Sequence, residues 1–552
     1  MVAPSYVVGL ADRPLLGLTI GAQLNKTAAD HPEADAIVSR HQGLRRTYAE
    51  LRADVDRAAR SLLAMDVGPG DRVGIWSPNR YEWTVSQYAT AKVGAILVNV
   101  NPAYRVHELR HALGAVDVSM LIAARGFHAG DYVSMLDGVR SDLPDLRTTV
   151  LLDDDPTPGW AITWTELLTR AEQASEADLA EREASLDPDD PINIQFTSGT
   201  TGLPKAATLT HHNVLNNGAL VGARLRYSSA DRVCMPVPFY HCFGMVLGNL
   251  SCLVHAATVV LPSESFDARA CLEAIQDERC TSLYGVPTMF IAMLEEPGSD
   301  GFDLTSLRTG VMAGAPCPVE VMRRVIEQLH APEITICYGM TETSPVSFQS
   351  LPDDELERRD STVGTVHPWV EAKVVDPGTG RTLPRGNAGE LCTRGYLVMR
   401  GYWNDPEATR EAIDEAGWIH SGDLAVMRDD GAVNIVGRLK DMIIRGGENV
   451  YPREIEEFLF THPKIADVQV VGVPDAKYGE AVCAWVMLHP GQMATEDEIR
   501  DFCRGQIASY KIPRYVRFTG SFPMTVTGKI QKFRMREISA QELGLGAVAS
   551  AA

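Results

Sequence analysis

Residues 195–207 read QFTSGTTGLPKAA. The apolar run 192–196 predicts a buried strand. It feeds a loop of hydroxyls and glycines, Thr197, Ser198, Gly199, Thr200, Thr201 and Gly202, with Lys205 closing it. Small residues let backbone N–H groups approach an anion, hydroxyls donate to its oxygens, and the lysine adds positive charge. That is the chemistry of a phosphate cradle. The spacing is not that of the common Gly-Lys-Ser/Thr phosphate loop, which keeps four residues between its glycines. Here two residues separate Gly199 from Gly202, and Pro204 precedes the lysine.

Five further segments carry reactive side chains. YGMTETSP (338–345) follows an apolar strand. Its Glu342 suits a hard cation shared with nucleotide phosphates, and Thr341 can donate to a phosphate. SGDLA (421–425) presents Asp423, a carboxylate able to accept both hydroxyls of a ribose. GRLKDMIIRGGENVYPREIE (437–456) supplies Arg438, suited to phosphate or ribose, and the pair Gly446–Gly447, which permits close backbone approach. PMTVTGKIQK (523–532) sets Lys529 after a glycine near the C-terminus. FYHCFGM (239–245) offers two aromatics and His241 beside a strand end; as a bare pattern such a histidine is more often structural than catalytic.

The elements that hold these segments follow from periodicity. Thr47 and Glu50 make a capping-box pattern ahead of Leu51, Val55, Leu62 and Leu63 at helical spacing. Strands at 72–76, 95–100 and 118–124 alternate with helices at 81–93 and 107–116, a βαβαβ rhythm that predicts a parallel sheet covered by helices. After the acidic stretch 171–190 a second cycle has strands at 232–238, 257–262, 281–287, 309–314 and 334–339. Between 362 and 436 short strands and turns predict a small antiparallel sheet or barrel, with DDG (429–431) as a hairpin turn. The remainder reads as compact α+β, with a helix after Pro452 and another over 495–507. The fold class is therefore α/β. Residues 1–436 form a large domain of two α/β layers plus a β-barrel-like subdomain, and 437–552 a mobile α+β domain joined at a short polar junction near 438–440.

Composition narrows the partners. A net charge of −21 disfavours nucleic acid and anionic membranes, leaving room only for transient lipid contact through a local apolar patch. No run of 18 apolar residues predicts a transmembrane helix, and the N-terminus lacks the basic-then-apolar order of a signal peptide. The ten cysteines are scattered singly with no C-x-x-C pair, which fits a reducing, cytoplasmic setting and disfavours zinc. Lysine is scarce, ten residues in the chain, so a lysine inside a glycine-rich motif invites a functional reading.

Taken together, the phosphate loop, Y-G-x-T-E, S-G-D, G-R-x-K-D with G-G-E, and the late T-G-K resemble the adenylate-forming superfamily of acyl-CoA synthetases, luciferases and nonribosomal adenylation domains. The order and spacing match from about residue 20 to 540, and the chain looks like a medium- or long-chain fatty-acyl-CoA synthetase. The resemblance implies ATP, Mg²⁺ and CoA as small-molecule partners beside a fatty acid. Thr197 to Lys205 would hold the ATP phosphates. Gly314, Ala315 and Pro316 would lie along the adenine, with Tyr338 stacking on it and Gly339 beside it. Thr341 and Glu342 would serve phosphate and Mg²⁺, and Asp423 and Arg438 the ribose. Lys529 would bridge the carboxylate and the α-phosphate. Lys440 takes the hinge position, and Gly446 and Gly447 would border the pantetheine tunnel.

Amino-acid activators of this superfamily place an aspartate near the aromatic motif to pair the substrate ammonium. Here 239–241 is Phe-Tyr-His, with no acidic residue until Glu264. An unpaired buried ammonium is costly, so an uncharged acyl tail is expected. Tyr240, Met245, Val286, Met340 and Val346 are the candidate pocket walls, and His241 is placed to orient the carboxylate. An aryl-acid CoA ligase, or a fatty-acyl-AMP ligase that passes the acyl group to a carrier protein, are the competing readings within the superfamily. A non-catalytic nucleotide-binding homologue would have lost Lys529, Glu342 or the phosphate loop, and all are present.

Overall fold

In the computed structural model the described residues are 3–11, 13–128, 130–197, 204–315, 317, 319–445, 448–475, 477–524 and 530–545. The chain divides into two compact units. One comprises Val7–Ala372 and Thr393–Ile419; the other comprises Met1–Tyr6, Lys373–Cys392 and His420–Ala552.

The larger unit holds two big sheets. The first has eight strands in the order Ala161–Thr163, Thr148–Leu151, Met120–Ala123, Arg72–Trp76, Ile96–Asn99, Pro191–Thr197, Lys205–Thr210 and Gly401–Tyr402. Arg72–Trp76 pairs in parallel with both Ile96–Asn99 and Met120–Ala123, as the βαβαβ rhythm requires. The second has nine strands. Its central run, Glu333–Gly339, Thr309–Ala313, Ser282–Gly285, Arg232–Cys234 and Thr258–Leu261, is parallel throughout.

The two sheets do not follow chain order. Asp35–Ser39 joins the second sheet beside Thr258–Leu261, while Pro191–Thr197, which follows the acidic stretch, joins the first beside Ile96–Asn99. Asn193 pins that pairing, since its side-chain amide donates to the Leu97 carbonyl and to Asn99 Oδ1, both at 2.9 Å. Local periodicity identifies a strand but carries no information on which sheet edge receives it. Strand lengths also differ where proline intervenes. The strand expected over 232–238 ends at Cys234, ahead of Pro236, because proline cannot donate to a ladder.

Helices pack between and around these sheets. Tyr48–Ala64 starts on a complete capping box: Glu50 N–H donates to Thr47 Oγ1, and Thr47 N–H to the Glu50 carboxylate. Tyr81–Val93 has every residue but Glu82 buried. It therefore shows no polar stripe, as expected of a helix enclosed on all sides. Its Lys92, 1% exposed, meets Asp56 at 2.6 Å, Asn25 Oδ1 at 2.7 Å and Glu183 at 3.0 Å.

The smaller unit contains the hairpin of Ile419–Met427 and Val433–Arg438, turned at Gly431 with φ +83°. These strands end an open five-stranded sheet, with Tyr6–Val8 at its far edge, rather than a closed barrel. The C-terminal part is a second sheet built on the long antiparallel pair Ile465–Asp475 and Gly479–Leu488, with helices Pro452–Phe460, Glu496–Cys503 and Lys532–Glu542. The helix expected over 495–507 stops at Cys503, because Arg504 is extended and Gly505 turns with φ +73°. No described helix is long and apolar enough to cross a membrane.

Candidate functional site

In the larger unit the strands on either side of the candidate phosphate loop pair with each other. Thr197 and Lys205 are register partners in the antiparallel pair Pro191–Thr197 and Lys205–Thr210. Ser198, Gly199, Thr200, Thr201 and Gly202 lie outside the described residues, but the strands present both ends of the loop face to face.

Glu342 sits against this hairpin in the one-turn helix Thr341–Thr343, and it is buried. Its Oε1 accepts from Thr197 Oγ1 at 2.9 Å and from Tyr402 OH at 2.9 Å. Lys205 Nζ lies 5.2 Å from the centre of the Tyr402 ring. Burial, reinforced by the neighbouring carboxylate, pushes the Tyr402 phenol far above its ordinary range, so it stays protonated and donates. Among the described residues no cationic side chain pairs with Glu342. A buried carboxylate balanced by neutral hydroxyls suits a bound hard cation, and the residues fit Mg²⁺ in that respect.

Around this cluster, Thr341 Oγ1 lies 3.8 Å from Cys242 Sγ. Burial pushes that thiol up to about 12, so it is no nucleophile at neutral pH. His241 is exposed and caps the helical turn that follows: its Nδ1 accepts the Phe243 N–H at 3.1 Å, which leaves Nε2 as the protonated nitrogen of the neutral ring. Gly314 has φ +87°, and a side chain there would meet Val286 Cγ1 at 3.2 Å, so the adenine and acyl candidates adjoin. Gly314 and Ala315 are exposed; Pro316 lies outside the described residues. Tyr338 is half-buried with its ring 6.3 Å from Phe348, tilted at 62°. Gly339 passes so close to the Pro345 carbonyl, 1.7 Å from an added Cβ, that only glycine fits.

The acyl candidates divide. Tyr240, Val286 and Met340 are partly exposed, and the Tyr240 hydroxyl is buried with no hydrogen-bond partner among the described residues. Met245 and Val346 are packed in the core. The Met245 sulfur takes contacts from Asn99 Nδ2 at 3.3 Å and Gln195 Nε2 at 3.2 Å, and Asn217 brackets the backbone of Val346.

In the smaller unit Asp423 and Arg438 face each other across the hairpin, with Nε to Oδ1 at 3.2 Å. Behind them Glu390 uses both oxygens: Oε2 meets His420 Nδ1 at 2.8 Å, and Oε1 accepts the Gly422 N–H at 3.1 Å. The hinge candidate Lys440 is exposed, and Arg536 donates to its carbonyl at 2.9 Å and to Asp441 at 3.1 Å. Gly446, Gly447 and Lys529 lie outside the described residues. Sequence reasoning missed Tyr402, Glu390 and His420. Each stands in a strand where only a polar residue at an inward position, or proximity to S-G-D, marked it.

A buried carboxylate held by hydroxyls beside the two strands that flank a glycine- and hydroxyl-rich segment is an arrangement able to hold a hard cation and phosphates. The chain belongs to the AMP-binding enzyme family: residues 24–403 match it, and residues 454–529 match the AMP-binding enzyme C-terminal domain. It is 47% identical to the putative acyl-CoA synthetase YngI of Bacillus subtilis, over 95% of this chain and 97% of that protein. It is also 47% identical to the mitochondrial medium-chain acyl-CoA ligase ACSF2 of Danio rerio, over 98% and 91%. Among solved structures, the anthranilate CoA ligase AuaEII in complex with anthranoyl-AMP superposes with a TM-score of 0.86 at 25% identity, covering 97% of this chain and 99% of that one.

Proposed function

We propose that this protein is an AMP-forming acid–CoA ligase acting on medium-chain fatty acids. The carboxylate oxygen attacks the α-phosphorus of ATP, giving acyl-adenylate and pyrophosphate. The CoA thiol then attacks the acyl carbonyl, forming the thioester and releasing AMP. A free carboxylate is a poor acyl donor because its leaving group would be oxide; AMP is a good one. The chemistry therefore needs positioning and charge neutralisation rather than a side-chain nucleophile.

The observation that carries this reading is Glu342, buried at the mouth of the Thr197–Lys205 hairpin and held there by two hydroxyls. In it, Lys205, Thr197 and the loop 198–202 bind the phosphates, with Thr341 adding a hydroxyl. Glu342 would hold Mg²⁺, which when bound supplies charge neutralisation at the phosphates. Tyr338, Gly339, Gly314, Ala315 and Pro316 form the adenine side, and Asp423 and Arg438 bind the ribose. Lys529 spans the carboxylate and the α-phosphate, and Gly446 and Gly447 border the pantetheine path. A domain of residues 437–552 turns about Lys440 between the two half-reactions.

Support for a fatty acid comes from the sequence after Phe239-Tyr240-His241, which has no acidic residue before Glu264, and from the apolar Val286 and Met340. Support for medium chain length comes from the name of the 47%-identical ACSF2. Met245 and Val346 contribute from behind the pocket wall. The ten free, buried cysteines support a reducing, cytoplasmic setting.

The test is pyrophosphate release across straight-chain acids from acetate to palmitate, with aryl and amino acids alongside, with and without CoA. Each buried methylene adds up to about 0.8 kcal/mol until the pocket is full. The logarithm of kcat/KM should rise with length and then break among medium-chain acids. A best substrate that is aryl, very short or an amino acid overturns the acyl reading; AMP-forming turnover that never needs CoA overturns the ligase reading.

A further inference from the structure

Tyr402 touches both charged ends of the phosphate site. It lies on Gly401–Tyr402, a two-residue strand that pairs with Lys205–Thr210 through Ala207–Tyr402 and Thr208–Gly401. This edge pairing fixes its backbone next to the strand that begins with Lys205. From there the hydroxyl donates to Glu342 Oε1, and the ring face lies 5.2 Å from Lys205 Nζ. A second anchor holds the strand: Tyr402 N–H donates to Thr409 Oγ1 at 2.9 Å, and Thr409 is held in turn by the Asp405 carbonyl at 2.8 Å.

We propose that Tyr402 is a positioning residue that holds Glu342 and Lys205 in place for the phosphates and their cation. The inference rests on the reading of Glu342 and Lys205 given above. Two distinct interactions are involved. The hydroxyl fixes the carboxylate rotamer and shares with Thr197 the work of satisfying a buried anion. A carboxylate held by two donors on one oxygen keeps its other oxygen directed. The ring works on the lysine instead. An ammonium over an aromatic face is held without a counter-charge, so Lys205 is ordered at the hairpin mouth yet, among the described residues, carries no salt bridge that phosphates would have to break. A carboxylate partner would order Lys205 as well, but it would also cancel its charge.

The two interactions separate by substitution. Tyr402→Phe keeps the ring and removes the donor; Tyr402→Leu removes both. In pyrophosphate release the Mg²⁺ concentration for half-maximal rate should rise about tenfold in Tyr402→Phe, with kcat at saturating Mg²⁺ near wild type. In EDTA, calorimetric binding of ATP should be unchanged in Tyr402→Phe and weakened about threefold in Tyr402→Leu, since the latter alone loses the cation–π contact. Thermal melting confirms that each variant is folded. If Tyr402→Leu does not fold, the Tyr402→Phe comparison of Mg²⁺ dependence against metal-free ATP binding decides alone. Equal loss of ATP affinity in EDTA for both variants, or an unchanged Mg²⁺ requirement in Tyr402→Phe, overturns the proposal. A wild-type protein that binds ATP in EDTA but releases no pyrophosphate with any acid refutes the ligase reading, while the binding arm still tests Tyr402.

Discussion

Asp423 and Arg438 are register partners in one antiparallel hairpin, and their side chains meet at 3.2 Å. The strand pairing, not the loop between, sets that meeting. Asp423 is further fixed by its own N–H, which donates to Ser421 Oγ at 3.0 Å, while Ser421 Oγ donates to the Leu391 carbonyl at 2.6 Å. In the proposed ribose role, a carboxylate held this way has little freedom left to lose. Asp423→Ala should therefore raise KM for ATP roughly 10- to 100-fold, the cost of charge-assisted hydrogen bonds, with a smaller effect on kcat. Initial-rate kinetics at saturating fatty acid and CoA would show it. A pure kcat effect would remove Asp423 from the ribose site.

Lys529→Ala should separate the half-reactions. A charge aimed at the reacting phosphate is worth on the order of 10²–10⁴ in rate. Adenylation from ATP should fall by that factor. Thioester formation from supplied acyl-adenylate should survive, because the role proposed for the lysine is confined to the first step. Equal loss in both assays would contradict the assignment.

The buried ammonium of Lys92 gives a stability prediction remote from the site. Lys92→Met leaves Asp56 and Glu183 facing each other without their cation. Removing one partner of a buried ion pair costs about 3 kcal/mol or more. A lowered melting temperature is expected, with partial recovery in Lys92→Met/Glu183→Gln. An unchanged melting temperature in the single variant would show that water reaches this cluster.

His420 should make the smaller unit's stability depend on pH. Contact with the Cys392 sulfur and the Glu390 carboxylate, against the opposing effect of burial, raises the imidazole to about 10. The unfolded value is about 6.5. A raised histidine stabilises fully below its unfolded value, and that stabilisation is lost as pH rises from about 6.5 through 10. The difference in denaturation midpoint between wild type and His420→Gln should thus be largest near pH 6 and shrink towards pH 10. A gap that widens with pH would contradict this ion pair.

The candidate site was legible as residue types that phosphate, cation and ribose chemistry would demand. Thr197, Lys205, Glu342, Asp423 and Arg438 announce themselves by charge or hydroxyl within glycine-rich surroundings, and the structure brings Thr197 to Glu342 and Asp423 to Arg438. Strands and helices were legible for the same local reason. Sheet membership was not, because Asp35–Ser39 and Pro191–Thr197 find partners far along the chain. Nor was Tyr402: the role proposed for it depends on cross-strand pairing with Ala207. Met245 and Val346 looked like pocket walls from their apolar character, a property shared by wall and core alike, and packing put both among buried neighbours.

The enclosed helix Tyr81–Val93 has a bearing on how variation in this chain should be interpreted. With Glu82 as the lone outward residue, nearly every position borders a fully occupied volume. A saturation screen scored by growth or turnover would mark the whole segment as intolerant, with a profile as severe as that of the phosphate hairpin. Sensitivity at Trp83, Tyr88 or Ala91 would then report steric exclusion. A screen scored by protein abundance tells the two apart: damage in this helix should lower the amount of protein, whereas loss of Glu342, in its proposed cation-holding role, should leave the amount and remove the product.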